Sequence, residues 1–148
     1  MVKLQIKIKK LDSRAKMPVY SSEMAAGMDL HACLEEDVIL APGETAMIPT
    51  RLAMEIPAGY VGLIYARSGM AVKRGLAPAN KVGVIDADYR GEILVALYNQ
   101  SSGEQTVEDG ERVAQMVITP VPAVELIEVA ELNDSVRGAG GFGSTGIR

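Results

Sequence analysis

The stretch "DADYRG", residues 86–91, lies between the strand-like runs "KVGVI" and "EILVALYN". Two aspartates, a tyrosine and an arginine therefore crowd the tip of a hairpin. A loop carboxylate can hold a water by one hydrogen bond, aim it and accept its proton. The plainer reading makes Asp86 and Asp88 turn formers, with Tyr89 covering the hairpin. Residue types alone do not separate the two.

Near its C-terminus the chain reads "RGAGGFGSTG", residues 137–146, half glycine and holding the only phenylalanine, Phe142. Composition alone favours a disordered tail. A plain linker, however, has no use for Arg137 or for the sole Phe. Glycine-rich backbone can converge its N–H groups on an anion. Ser144 and Thr145 add hydroxyl donors, Arg137 a charged fork, and Phe142 a face on which a base can stack. "GAGGFG" formally fits G-x-G-x-x-G, but it lacks the strand and helix that a dinucleotide fingerprint needs. "GGFGST" lacks the P-loop lysine. Ordering such a segment costs on the order of 10 kcal/mol, and each hydrogen bond to a charged group returns roughly 1.5–3 kcal/mol. Several phosphate contacts plus stacking are needed, so a nucleoside triphosphate fits better than a lone base or a monophosphate.

Three further segments carry candidates. "ARSGMA" sets Arg67, Ser68 and Gly69 at the start of a short helix, where free N–H groups favour an anion; taken alone, an N-cap serine beside a surface arginine is the better explanation. "GERVAQM" carries Arg112 and Gln115, three residues apart, which a regular strand turns to opposite faces. "AAGMDLHAC" holds Asp29, the only histidine, His31, and the only cysteine, Cys33, with no ligand set for a metal.

The elements that must position these groups are short strands. Val2, Leu4, Ile6 and Ile8 alternate with Lys3, Gln5, Lys7 and Lys9, giving a half-buried strand with a basic, edge-protecting face. "DVILAP", "TAMIPTRLAMEIP", "GYVGLIYA", "KVGVI", "EILVALYN" and "ERVAQMVITPV" follow, punctuated by Gly and Pro. This argues for an all-β sandwich or barrel. "RSGMAVKRG" is the one helix expected, two turns at most. At 148 residues one domain is expected, with a mobile arm from about residue 136. A net charge of −4 gives no support to nucleic-acid coating. A single cysteine points to a reducing compartment. With no signal-peptide-like or membrane-spanning run, a cytoplasmic protein is expected.

Five segments in order, "AGMDLHA", "ARSGMA", "NKVGVIDADYRGE", "GERVAQM" and "RGAGGFGSTG", resemble the five motifs of the homotrimeric deoxyuridine triphosphatase (dUTPase) family. The resemblance implies a distorted jelly-roll β-barrel, assembled as a homotrimer whose C-terminal arm closes a site built from three subunits. It implies hydrolysis of dUTP to dUMP and pyrophosphate with Mg²⁺ on the triphosphate, a reaction that supplies dUMP for thymidylate synthesis and keeps uracil out of DNA. Asp86 matches the carboxylate that bonds the sugar 3′-OH and orients the attacking water. Asn80, Gly83, Val84 and Ile85 match the uracil slot, and Tyr89 matches the tyrosine under the deoxyribose. Arg67, Ser68, Gly69 and Gln115 match phosphate contacts. Arg137, Phe142, Gly143, Ser144 and Thr145 match the closing arm. Asp29 matches a carboxylate that meets the hydrated Mg²⁺ through water, and Arg112 a mainly structural position. The alternatives are a dCTP deaminase or bifunctional deaminase–dUTPase on the same barrel, or a non-catalytic nucleotide-binding protein.

Overall fold

The computed structural model describes residues 3–147; Val2, the first residue of the alternating N-terminal run, and Arg148, the last of the arm, lie outside them. The chain forms β1 (Lys7–Lys10), β2 (Val19–Tyr20), β3 (Met28–His31), β4 (Val38–Leu40), β5 (Thr45–Glu55), β6 (Tyr60–Tyr65), α1 (Ser68–Arg74), β7 (Leu76–Pro78), β8 (Gly83–Ile85), β9 (Glu92–Asn99), β10 (Gln105–Val107) and β11 (Arg112–Pro120). They make a four-stranded sheet ordered β1-β5-β9-β7, a five-stranded sheet ordered β2-β3-β11-β6-β8, and the pair β10-β4. All pairings are antiparallel. The sheets are jelly-roll-like, each open as ordered rather than closed into a barrel.

Period-two alternation builds the longest strands: in β5 Ile48, Thr50, Leu52 and Met54 point inward, and in β9 Ile93, Val95, Leu97 and Asn99 do so. One core cluster joins the apolar residues among these to Leu30, Ile64, Val113 and Met116 of the other sheet. Each such side chain contributes roughly 1.5–3 kcal/mol on burial, so the core stands without aromatic rings. Between Pro49 and Ala53 the β5–β9 register shifts, and Arg51 adopts φ 54°. The Thr50 hydroxyl donates to the Ile93 carbonyl at 2.6 Å, and the Arg51 N–H donates to Glu92 Oε1 at 2.9 Å. Side chains thus replace ladder bonds that the bulge removes.

β1 is an edge strand, as its lysines suggest, with Lys7 paired to Glu55 at 3.1 Å; the Lys7 ammonium holds the Glu55 carboxyl below its ordinary range. It begins later than the alternation predicts, after Leu4 and Ile6. The helix ends on Gly75, whose φ of 65° is the left-handed turn a glycine permits, with its N–H on the Ala71 carbonyl. At its last turn, Arg74 is tied to Glu111, the Thr106 carbonyl and Gln105, which fixes α1 against β10. Among the described residues, no helix is long and apolar enough to cross a membrane.

Candidate active site

Asp29 is the centre of one cluster. It sits in β3, a strand buried at all four positions, and its side chain is only 7% exposed. One carboxylate oxygen takes a hydrogen bond from Arg67 Nε at 3.0 Å, the other from an Arg112 terminal nitrogen at 3.2 Å. Gln115 lies directly across from Asp29 in the β3–β11 register, and its Nε2 donates to the Ala66 carbonyl at 2.9 Å. Arg67, Arg112 and Gln115 therefore gather at one sheet end, beside Ser68 and Gly69, which are exposed at the start of α1.

This corrects the expectation that Arg112 and Gln115 face opposite ways. The β3–β11 register shifts between Arg112 and Ala114, and Val113 and Ala114 are both buried in succession. The bulge inserts a residue and resets the alternation. Two adjacent small apolar residues between the arginine and the glutamine were the available sign.

His31 flanks the cluster, opposite Arg112 in the β3–β11 register, whereas the Cys33 N–H bonds to the Pro49 carbonyl of β5. The imidazole is buried with Nδ1 unpartnered, and burial first, then Lys16 and Arg112, pushes its pKa below the ordinary value. Burial pushes the Cys33 thiol up, which leaves it a poor nucleophile.

The hairpin forms a second centre. β8 carries Gly83, buried, and Val84 and Ile85, then turns at Asp86. The Tyr89 N–H closes that turn on the Asp86 carbonyl at 3.1 Å, and the Tyr89 hydroxyl donates to the Glu92 carbonyl at 2.9 Å. A cleft of about 240 Å³ is lined by Met47, Val84, Ile85, Asp86, Tyr89, Glu92 and Leu94. The Asp86 carboxylate is exposed and, among the described residues, accepts no hydrogen bond, so it is free to take one from a ligand or water. Asn80 is exposed in the loop before β8. There the Val82 N–H donates to the Asn80 carbonyl at 2.7 Å across Lys81, whose φ is 65°.

The two centres lie toward opposite ends of β6. Ile85 pairs with Gly62, so Asp86 continues past Val61, whereas Gln115 pairs with Tyr65 and Arg67 follows two residues on. Six residues of extended chain cover up to about 20 Å, so the two centres stand well apart along β6.

The third group, Arg137, Phe142, Gly143, Ser144 and Thr145, is exposed in a run of turns. Arg137 Nε donates to Gly140 O at 2.8 Å, and the Gly138 N–H to Ser135. Among the described residues, the hydrogen bonds of this segment stay within it.

Among the described residues, no group of three or more His, Cys, Asp or Glu side chains is placed to hold a metal. Both Asp29 oxygens already serve guanidinium groups, so the lone pairs left suit a water better than a bare cation. That donor set fits a metal carried on a phosphate chain rather than one resident in a protein cage.

A family model described as dUTPase matches residues 13–146. The chain is 52% identical over 143 residues to a deoxyuridine 5′-triphosphate nucleotidohydrolase of Nautilia profundicola, covering 97% of this chain and 99% of the relative. It is 50% identical over 147 residues to the protein of that name from Desulfitobacterium hafniense, covering 99% and 97%. The fold matches a structure of the Staphylococcus bacteriophage 80alpha dUTPase G164S mutant with dUpNHpp at a TM-score of 0.90 and 33% identity, covering 98% of this chain and 100% of that one.

Proposed function

The chain belongs to the dUTPase family and hydrolyses dUTP, and on that premise we propose how its residues divide the work, within a homotrimer. Asp86 aligns the attacking water and accepts its proton, the step a positioned carboxylate performs best. Asn80 and the backbone of Gly83, Val84 and Ile85 take the uracil; backbone donors and acceptors reject cytosine because its amino group would leave them unpaired. Tyr89 packs against the deoxyribose. Arg67, Ser68, Gly69 and Gln115 take phosphate oxygens, neutralising charge that grows as the anhydride breaks. Arg137, Phe142, Gly143, Ser144 and Thr145 close over the nucleotide. Arg112 holds Asp29 and through it Arg67. Asp29 would hold, through water, a Mg²⁺ bound to the triphosphate, which would supply further charge neutralisation there.

The observation that supports a shared site is the separation of Asp86 from Arg67 along β6. One chain supplies the water-directing hairpin, and a second copy supplies the phosphate cluster. Residues 121–132 agree with this reading: Val124, Leu126, Ile127, Val129 and Leu132 are exposed on the single chain, an apolar run that needs another surface to cover it.

Subunit complementation tests it. Asp86→Asn and Arg67→Ala should each lose nearly all pyrophosphate release from dUTP. Refolded together in equal amounts they should recover about a quarter of the wild-type activity, the statistical share of sites combining two intact contributions. No recovery in demonstrably mixed oligomers would mean that each chain carries a whole site.

A further inference from the structure

Tyr89 folds back over Gly91. With the ring pinned by its hydroxyl on the Glu92 carbonyl, a Cβ built at residue 91 would lie 2.4 Å from the Tyr89 hydroxyl oxygen, 2.6 Å from Cζ and 3.0 Å from Cε2. Atoms that close cannot coexist, so the ring would have to leave its seat. Gly91 is not among the glycines with positive φ, so an L-residue could adopt its backbone without strain. What position 91 requires is space. The ring seated there is a wall of the cleft that also holds Asp86.

We propose that Gly91 is a positioning residue for substrate selection: by leaving the Tyr89 ring room to lie flat on the hairpin, it sets the width of the cleft at its sugar end. This rests on the reading of Tyr89 as the sugar-facing wall. A side chain at 91 lifts the ring off the Glu92 carbonyl. The ring is half exposed, so its movement costs little stability, but the wall no longer stands where it excludes a 2′-hydroxyl. Asp86 keeps its backbone turn, so binding and selectivity change more than turnover.

The test measures pyrophosphate release from dUTP and UTP by Gly91→Ala, Tyr89→Ala and the double variant, alongside their thermal unfolding. Gly91→Ala should raise KM for dUTP about tenfold, keep kcat within about threefold, and narrow the dUTP-over-UTP preference about tenfold. In the Tyr89→Ala background, where the clashing atoms are gone, adding Gly91→Ala should change each constant less than about twofold. An unchanged preference in Gly91→Ala overturns the proposal. So does an equal further loss in the double variant, which would show the glycine acting through the backbone. If Gly91→Ala does not fold, the double variant should fold and match Tyr89→Ala; a double variant that also fails overturns it. If Tyr89→Ala alone leaves the preference intact, the sugar-wall reading falls with Gly91 untouched, a distinct result that removes this inference with it.

Discussion

Arg67 and Arg137 carry the same guanidinium to the same proposed task under opposite terms. Arg67 is held at 3.0 Å by a carboxylate that is 7% exposed and also bound by Arg112. Arg137 donates to Gly140 O inside its own exposed turn. The first is oriented before any ligand arrives, so its entropy is spent in folding; in the reading proposed above, the second is ordered by the ligand and draws on binding energy. The difference teaches which part should sense the substrate. A rigid cluster meets any polyphosphate, whereas an arm that needs several contacts at once responds to a whole nucleotide.

The largest effect comes from removing the costly half. Deletion of residues 137–148 should lower kcat/KM for dUTP by about 10³, roughly 4 kcal/mol of lost transition-state contacts. The unfolding midpoint and the oligomer size, read by calorimetry and sedimentation, should stay put. A dissociated oligomer would make the segment a clasp, and the comparison would break.

Asp29→Asn attacks the rigid half and should show the reverse signature. Two arginines lose their shared buried counter-charge, although both remain partly exposed, so the cost is about 2 kcal/mol. The midpoint should fall by several degrees and activity about tenfold together. A drop in activity with unchanged stability would mean that Asp29 acts on the ligand and not by holding Arg67.

How much of each half was legible follows from the physics of the signal. β9 was readable to the residue as the short apolar run "EILVALYN" set off by the turn "YRG", although its alternation of inward and outward positions shows only in the folded strand. β3 was not: "MDLH" alternates apolar and polar residues as a half-wet strand would, yet all four positions are buried, and its aspartate looks out of place until Arg67 and Arg112 are brought to it. The Arg112–Gln115 grouping was hidden by a bulge. The arm's candidate donors could be named from the sequence, and the structure leaves them exposed in turns with little tertiary context around them. The seat under Tyr89 was not, because space over Gly91 is a property of a folded-back ring.

The rigid half also carries a pH signature that the arm lacks. Burial foremost, then the cations Lys16, Arg112 and Arg67 against the lone opposing Asp29, lowers the His31 pKa beneath 6.5. Unfolded chain binds the proton first as pH falls, so stability is complete above about pH 6.5 and declines below it. His31→Gln should flatten the unfolding midpoint between about pH 5 and pH 7 relative to wild type, whereas the deletion of residues 137–148 should leave that slope unaltered. A parallel slope in His31→Gln would assign the dependence to another group.

The smallest effect tests whether order in the hairpin centre is itself bought with strain. Lys81 sits at φ 65° at the centre of a three-residue turn closed by Val82 N–H on Asn80 O at 2.7 Å. For a residue with a Cβ this conformation costs on the order of 1 kcal/mol. Glycine there would remove the strain and return part of the gain as unfolded-state entropy. Lys81→Gly should therefore stabilise the protein by about 0.5 kcal/mol. The same freedom would let the loop before Gly83 sample other shapes, so KM for dUTP should rise about twofold to threefold with kcat held. If the variant were instead less stable, the turn would be relaxed as it stands, and pre-set order in this molecule would belong to the Asp29 cluster alone.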